Sequence, residues 1–298
     1  MAIQVATTGE LDTAQRIAIE QTRFTAEHNA PCANLIEKMT LGKGEKSVVV
    51  PKVAQMTATS LVDGVDISAS EDIGMTTTTL TSGEVGLKVI LTDKLVRQQN
   101  EDVFRMVGRQ MGDAMARKKD NDIIALFSAL NGGTDLGSAG RDMEVGNAAI
   151  LIGHAKANKF PDPVYVVHHP WALFHVAGSM IGGAGGAVGG VVVPAGAVLA
   201  QSSFGEGLMK DFFDFSLNGV PFYHDGNIAA DASGDGIGAV FSKEAMVLLE
   251  SVGFNQERER DASLRATELV VTADYGVFEL DDTYGAGVTF QVSAEATA

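Results

Sequence analysis

The strongest hydrophobic periodicity in this chain runs from residue 99 to residue 130 and is typical of an amphipathic helix. Its apolar positions recur at three- and four-residue spacing: Phe104, Val107, Met111, Met115, Ile123, Phe127 and Leu130. Asn100, followed by two acids, predicts the capped start of this helix, and Asn131-Gly132-Gly133 predicts its end. A helix of about 32 residues is roughly 48 Å long, which is long for a compact globule.

Upstream of this helix, the pattern predicts a polar helical segment followed by β-structure. Residues 10–39 have helical spacing with few apolar positions and are interrupted at Pro31, and Ser47–Val50 predict a strand. Residues 53–87 are rich in Thr, Ser, Gly and Val, and the turn signal Val62-Asp63-Gly64 near their middle predicts a long β-hairpin. This hairpin has too few large apolar residues to bury a face alone, so something else must hold it.

Downstream, strand patterns surround a long uncharged stretch. Residues 163–205 contain no Asp, Glu, Lys or Arg; within them, the sequence VYVVHH predicts a strand, and a short helix is predicted to start at Pro170. The last third predicts strands at residues 220–224, 238–241, 268–273, 277–280 and 288–292. It also predicts a short helix at 243–250, capped by Ser242, and a hairpin turn at 281–287.

The charge balance disfavours simple DNA binding. The 298 residues carry 38 acids against 22 Lys and Arg, a formal net charge of −16, whereas a protein that holds DNA through its phosphates needs a basic surplus. An acidic wall that only encloses DNA is compatible with this charge. Cys32 is the only cysteine, which excludes an intrachain disulfide and a cysteine-based metal site, and the N-terminus lacks the pattern of a signal peptide. Both features favour folding in a reducing cytoplasm.

Several stretches, taken in order, resemble those of a known family. They are LVDGVDIS and TTTTLTSGEVGLKVILTDKLV within 61–96, RQMGDAMARKKDNDIIALF at 109–127, GVPFYHDGNIAADASGDGIGAVFSKEAMVLLE at 219–250 and RATELVVTADYGVFELDDTYGAGVTFQV at 265–292. They are similar to the extended loop, the spine helix and the return into the peripheral domain of the major capsid proteins of tailed bacteriophages, which have the Hong Kong 97-type capsid fold. The resemblance covers about residues 35–298 and is one of architecture.

This resemblance implies an α+β fold with an extended β-hairpin loop, a long spine helix, a peripheral domain and an axial domain. It divides the chain into an N-terminal arm with the first strand (1–51), the extended loop (52–87), the peripheral domain with the spine helix (88–150), the axial domain (151–234) and the return segment of the peripheral domain (235–298). The implied function is structural and not enzymatic: a major capsid protein that assembles into an icosahedral shell enclosing double-stranded DNA. The alternatives are an encapsulin-type nanocompartment shell protein and a cytoplasmic enzyme with an unrecognised site.

The implied partners are further copies of the chain, in pentamers and hexamers, with a portal and decoration proteins. Because only about 50 residues precede the loop, we expect a separate scaffolding protein, or assembly steered by the short arm at 1–39. The shell is expected to assemble in the host cytoplasm, to become the virion capsid, and to enclose DNA without sequence-specific binding. Neither a cofactor nor a membrane is expected, since seven glycines between residues 180 and 200, with Pro194, make the uncharged stretch a poor membrane helix.

The charge pattern marks two surfaces for contact between subunits. Residues 53–87 hold no Lys or Arg but five acids: Asp63, Asp66, Glu71, Asp72 and Glu84. Residues 88–119 hold eight bases against four acids, and the bases assigned to the spine-helix side of the interface are Arg97, Arg105, Arg109 and Arg117. One interpretation is that the loop of one subunit docks on the helix of its neighbour, with opposite potentials setting register. The other is a pair of unrelated solvated faces.

Two sequence signals are absent, one from the predicted loop and one from the predicted axial domain. Because no lysine lies in residues 53–87, we expect no isopeptide cross-link from the loop to a neighbour. A glycine-rich loop in the uncharged stretch lacks the Gly-Lys-Ser/Thr triplet of a phosphate cradle, and we assign it to the axial domain, buried or at a symmetry axis. Its residues are Gly182, Gly183, Gly185 and Gly186.

The remaining motifs favour structural roles over metal binding or catalysis. His168, His169 and His175 lie in a stretch without an acid that could complete a metal site. A calcium-loop-like start at Asp231 reaches Ser242, not a glutamate, at its twelfth position. Neither Gly-x-Ser-x-Gly nor His-Glu-x-x-His occurs, so no catalytic or metal site is assigned, although a triad built from distant residues stays open.

Overall fold

A computed structural model describes residues 30–53, 72–98, 102–182 and 216–293, with isolated positions at 56–58, 60, 63 and 66. Its helices are α1 (Cys32–Leu35), α2 (Asp93–Gln98), α3 (Asp102–Ile124), α4 (Leu130–Gly133), α5 (Val145–Ala157) and α6 (Pro170–Gly182). Its strands are β1 (Glu37–Thr40), β2 (Ser47–Lys52), β3 (Thr76–Thr81), β4 (Gly83–Thr92), β5 (Leu136–Gly137), β6 (Val164–His168), β7 (Ser216–Leu217), β8 (Val220–His224), β9 (Asp235–Ser242), β10 (Met246–Asp261), β11 (Ala266–Glu279) and β12 (Gly285–Gln291). The helix predicted before residue 30 lies outside the described residues.

The strands form two main sheets and a separate ribbon. In the four-stranded sheet the order is β1-β10-β11-β4, and only β1 runs parallel to its neighbour. The six-stranded sheet has the order β5-β12-β9-β6-β8-β7, and β2 pairs with β3 in the ribbon. Helices and mostly antiparallel sheets are combined without regular β-α-β alternation, which confirms the predicted α+β class.

The long helix α3 packs on one face of the four-stranded sheet. Met111 and Met115 of α3 share a buried cluster with Leu269, Val271 and Ala273 of β11. These β11 residues alternate along the strand, so one face of the sheet is apolar and meets the helix, while the intervening residues point the other way.

The helix is shorter than its hydrophobic pattern predicted. It ends at Ile124, but Phe127 and Leu130 remain fully buried in the turns that follow, so the apolar spacing continues past the helix end. The predicted stop at residues 131–133 therefore lies beyond the end of α3, although Asn131 and both following glycines do have φ between +59° and +71°, a left-handed conformation that interrupts a helix.

A second buried core lies between the six-stranded sheet and helices α5 and α6. Strand β6 contains the predicted VYVVHH strand, and α6 begins at Pro170 as expected. Helix α5 was not predicted from the sequence, because its run of apolar residues shows little periodicity: Leu151 and Ile152 are buried, whereas Ile150 beside them is exposed. Among the described residues, no helix combines the length and the hydropathy needed to cross a bilayer.

The predicted helix at 243–250 is wrong, because Met246 begins strand β10. Val247 and Leu249 pack against Leu80 of the ribbon, whereas Met246 and Leu248 point into the cluster around α3. The strand is therefore buried on both faces, and a short continuous apolar run of this kind does not distinguish a strand from a helix.

The predicted hairpin at 53–87 differs in register. Ser47–Lys52 of β2 pair with Thr76–Thr81 of β3, so the ribbon begins before residue 53. Residues 83–87 belong instead to β4, which pairs with β11. Val85 and Val89 of β4 pack against the cluster around α3, which explains why this stretch joins the sheet.

Two further predictions at the ends of the described chain are corrected. Strand β11 spans both predicted strands at 268–280, and β12 lies in the other sheet, so residues 281–287 are not a hairpin turn. Asp281 caps a short 3-10 turn at Asp282–Tyr284 instead. Glu37–Thr40 form β1 and not helix, because parallel pairing with β10 holds them at the edge of the sheet.

Candidate functional site

The ribbon of β2 and β3 packs one face on the protein and, with the residues just beyond it, exposes several large apolar side chains. Val48, Val50 and Leu80 on the packed face contact the cluster of Val247 and Leu249. Five large apolar side chains at the ribbon and just beyond it are more than half exposed: Val49 (54%), Val53 (54%), Met56 (55%), Ile73 (55%) and Met75 (63%). We call these five residues the loop stripe. A monomer seldom exposes so many apolar side chains in one region, so the loop stripe is a candidate contact surface.

Two polar contacts hold the ribbon where it leaves the sheet. Lys52 Nζ lies 2.6 Å from Asp281 Oδ1, and Ser82 Oγ donates a hydrogen bond to Asp274 Oδ2 at 3.0 Å. Burial alone would raise the pKa of Asp281, but hydrogen bonds from Lys52 and Thr283 outweigh it and hold this pKa below its usual value. The carboxylate of Asp281 is therefore ionised where it meets Lys52.

The described part of the loop beyond the ribbon is acidic. Asp63, Asp66 and Asp72 are all exposed there. Glu84 is also exposed, but it lies in β4 in register with Asp274 and belongs to the sheet, not to the loop. Glu71 lies outside the described residues. Three of the five predicted acids thus lie on the described part of the loop, and Glu84 lies in the sheet.

Two of the predicted arginines share an exposed face of α3. Arg109 and Arg117 are both exposed, and their spacing of about two helical turns places them on one side, with Asp113 midway between them. Arg97 lies in the separate helix α2 and not in the long helix. Arg105 belongs to α3, but its side chain lies outside the described residues.

Near the C-terminal half of α3, strand β10 adds apolar surface. Lys119 Nζ lies 2.5 Å from Glu250 Oε1 and 4.7 Å from the ring centroid of Phe254. Phe254 is 52% exposed and Val252 is 51% exposed. This part of β10 therefore adds exposed apolar surface beside the C-terminal half of α3, the helix that carries Arg109 and Arg117.

The axial glycines fall at the edge of the described residues. Gly182 is the last residue of α6, and the other three predicted positions, Gly183, Gly185 and Gly186, lie outside the described part of the chain. Their assignment to a buried or axial position stays a prediction.

A polar cluster that the sequence did not predict is buried between α1, α3 and the turn after β8. Cys32 donates from its amide to Asp120 Oδ1 at 3.1 Å and from Sγ to Asp225 Oδ2 at 3.3 Å. Asn227 donates from Nδ2 to Asp120 Oδ2 at 3.1 Å and from its amide to Asp225 Oδ1 at 2.8 Å. We call these four residues the acid-pair cluster. The sequence gives no sign of it, because Asp120 and Asp225 lie 88 and 193 positions from Cys32.

The chemistry of the acid-pair cluster is that of a shared proton. Burial, followed by a hydrogen bond and repulsion from Asp225, raises the pKa of Asp120 to about 8. Burial and the two carboxyl groups also raise the pKa of the Cys32 thiol. Ligand-type atoms of Cys32, Asp120 and Asp225 lie within 4.8 Å of one another, but they are engaged in hydrogen bonds within the cluster, so we assign them to proton sharing.

His168 and the cavity beside α5 show no paired nucleophile and base within the described part of the chain. His168 is fully buried and donates from Nε2 to the carbonyl oxygen of Val288 at 3.1 Å, and burial lowers its pKa to about 3, so it is neutral. His175 Nδ1 lies 3.2 Å from Asp142 Oδ1. A cavity of about 410 Å³ beside α5 contains Ser138 in its lining, but the lining holds no histidine, acid or cysteine that could activate this hydroxyl.

Comparison with known proteins gives a family and a fold. A family model described as phage capsid protein matches residues 75–288. No curated protein is significantly similar to the chain in sequence.

Several solved structures share the fold over nearly the whole chain. The structure titled Mycobacterium phage Che8 aligns with a TM-score of 0.67 at 15% identity, over 92% of this chain and 96% of that one. The capsid structure of cyanophage P-SCSP1u gives 0.63 at 15% identity, over 95% and 94%. The head structure of Helicobacter pylori bacteriophage KHP40 gives 0.67 at 10% identity, over 98% and 100%. At identities this low, the structural alignments establish a common fold alone.

Proposed function

This chain belongs to the phage capsid protein family, which makes it a structural protein of a phage head, and we propose that its copies interlock without covalent links into a closed icosahedral shell around double-stranded DNA. The expected Hong Kong 97-type fold is confirmed by the capsid structures that align with nearly all of the chain, and an encapsulin-type shell is not favoured. The observation that carries the proposal is the loop stripe, since in a closed symmetric assembly the same neighbouring surface covers it in every subunit.

The loop of one subunit docks on α3 and β10 of the next in this proposal. Asp63 and Asp66 on the loop oppose Arg109 and Arg117 on the helix, which sets the register of the contact more than its strength. The loop stripe covers the exposed apolar side chain of Phe254, and this burial supplies the affinity. Asp113, midway between the arginines, limits how closely the acids approach and supports a single register.

The proposal also includes the partners of the subunit and its division into domains. Copies form pentamers and hexamers, and a separate scaffolding protein, a portal and decoration proteins complete the head, which assembles in the host cytoplasm. The division into arm, loop, peripheral domain and axial domain is kept as a proposal, with the return segment adding β10 and β11 to one sheet and β9 and β12 to the other. A shell of this acidic chain encloses DNA without binding its sequence, and no catalytic role is proposed for the chain.

Charge reversal on α3 tests this interface. In the double variant Arg109→Glu with Arg117→Glu, we expect the yield of closed particles, counted by negative-stain electron microscopy with the scaffolding protein present, to fall at least about tenfold, because the acidic loop then meets like charge. Adding Asp63→Lys and Asp66→Lys to the same chain is expected to restore part of the yield.

The matched control changes the same charge elsewhere. Lys156→Glu with Lys159→Glu alters two exposed residues at the end of α5, far from the proposed contact in sequence, and is expected to leave the particle yield unchanged. An unchanged yield in the α3 variant would remove the helix from the interface. Small oligomers at every concentration of the wild-type chain, with scaffolding protein present, would overturn the proposed shell itself.

A further inference from the structure

The acid-pair cluster joins three segments that are distant along the chain. Cys32 opens α1, Asp120 lies in the last part of α3, and Asp225 begins the turn after β8. All three residues have no exposed surface. Through this cluster the segment that precedes the four-stranded sheet is fixed both to the long helix and to the six-stranded sheet.

The donors of the cluster satisfy the carboxylate oxygens but do not offset the charge of two adjacent buried acids. The four carboxylate oxygens of Asp120 and Asp225 each accept one hydrogen bond, two from Cys32 and two from Asn227. Oxygens of the two carboxyl groups also lie within 4.8 Å of each other, so a proton on one of them removes the repulsion between two adjacent negative charges. Two ionised carboxylates this close together in a buried site would repel each other strongly, so the pair is stable as a singly protonated unit.

Nearby charged groups in the described part of the chain do not replace this proton. Lys119, next to Asp120 in α3, is drawn to Glu250 at 2.5 Å. Asp122 accepts from the hydroxyl of Tyr275 at 2.8 Å and pairs with Lys118. Apart from burial, the groups that set the pKa of Asp120 are Asp225, Asn227 and Cys32, and none of these three is a cation. His224 precedes Asp225 at the end of β8.

We propose that the Asp120–Asp225 pair is a proton-operated latch: one shared proton holds the segment at Cys32 onto α3 and the β8–β9 turn, and loss of that proton releases it. When the latch opens, α1 and the chain that precedes it lose their anchorage on the long helix. The latch is a property of the single subunit and does not depend on the proposed shell.

The direction of the pH effect follows from the two states of Asp120. In the closed latch the pKa of Asp120 is raised to about 8, whereas in the open segment it returns toward its ordinary value of 3.8. Between these values the closed state holds a proton that the open state has lost, so closure is fully favoured below the lower pKa and weakens as pH rises. Above about pH 8 both states are ionised and the effect levels off.

The single cysteine of the chain reports directly on the latch. Unassembled full-length protein is treated with a dithiodipyridine reagent from pH 5 to pH 9, and the rate at Cys32 is divided into the rate for the same protein in denaturant. This ratio measures protection of the thiol with its intrinsic reactivity removed. In the wild type, protection is expected to fall by about tenfold for each pH unit between 5 and 8 and then to level off.

The variant Asp120→Asn carries the decisive comparison. Its amide nitrogen takes the place of Oδ2, so the side-chain amide of Asn227 turns to present its oxygen to it. The new amide then donates to Asp225 at every pH, and protection of Cys32 is expected to stay constant from pH 5 to pH 9. Asp113→Asn, which removes the same charge from the same helix, is the matched control and should keep the wild-type slope. If Asp120→Asn does not fold, Asp225→Asn is used instead, because an amide on either side of the pair replaces the shared proton.

Two results would overturn the latch: a wild-type protection that does not change with pH, or an amide variant with the wild-type slope. Neither result bears on the shell, since the measurement uses unassembled subunits. Conversely, a subunit that fails to assemble can still show the latch, so the two proposals fail separately.

Discussion

Gly238 of β9 lies where the neighbouring strand β6 comes too close for any side chain. A Cβ at this position would overlap the carbonyl oxygen of Val167 and the imidazole ring of His168. Strand β6 cannot move away, because it is paired with β9 on one side and with β8 on the other, and His168 is itself hydrogen-bonded to Val288. Position 238, at the centre of the six-stranded sheet, therefore requires glycine, because a Cβ does not fit there.

We expect Gly238→Ala to lower the free energy of unfolding of the subunit by about 1–3 kcal/mol, because the added methyl group must displace packed backbone. Urea denaturation of the unassembled protein measures the change. Gly153→Ala is the matched control: this glycine lies in α5 with nothing near its missing Cβ, so alanine should raise the same free energy by about 0.5–1 kcal/mol. Equal destabilisation by both variants would refute the close-approach explanation.

The acid-pair cluster shows what the sequence hides at the scale of single residues. Asp120 follows Lys118 and Lys119 in a charged run that is typical of a solvated helix face, yet its side chain is fully buried. Its burial comes from Cys32 and Asp225, which reach it only after the chain has folded. Local spacing cannot predict a contact between residues so far apart, whereas the charge counts that marked the loop and α3 needed only neighbouring residues.

At the scale of elements, the success of the predictions follows the number of faces that are buried. Helix α3 buries one face, which gives the spacing that predicted it. Strand β10 begins with Met246–Leu249 buried on both faces, and this continuous apolar run was mistaken for a helix. The loop stripe was not predicted, because its members are spread over residues 49–75, and only the pairing of β2 with β3 shows that Val49 is exposed while Val48 and Val50 beside it are packed.

The two faces of the ribbon are expected to respond differently to substitution. Leu80→Ala empties the packed face and should lower the free energy of unfolding by about 2–4 kcal/mol, measured by urea denaturation. Val49→Ser, on the exposed face, should change it by less than about 0.5 kcal/mol. In particle counts by electron microscopy, however, Val49→Ser should reduce assembly, and a Val49→Ser variant that assembles normally would exclude this residue from the interface.

At the scale of the whole molecule, the assembled shell is expected to lack covalent links between subunits. Residues 53–87 contain no lysine, and Lys52 at the base of the loop is held by Asp281 of its own chain. Particles boiled in SDS should therefore give a single band at the mass of the monomer, 31.2 kDa. A ladder of heat-resistant oligomers on the gel would contradict this expectation.

The order of strands in the four-stranded sheet also dictates when a newly made chain can become a subunit. Strand β1 (residues 37–40) pairs with β10 (residues 246–261). The edge strand β1 therefore stays without its partner until most of the chain has left the ribosome. Contacts of such long sequence separation form late, because the intervening chain must first be closed into a loop. The surface on β10 that is proposed to receive a neighbour's loop is therefore completed near the end of synthesis, so an incomplete chain is expected to stay out of a growing particle.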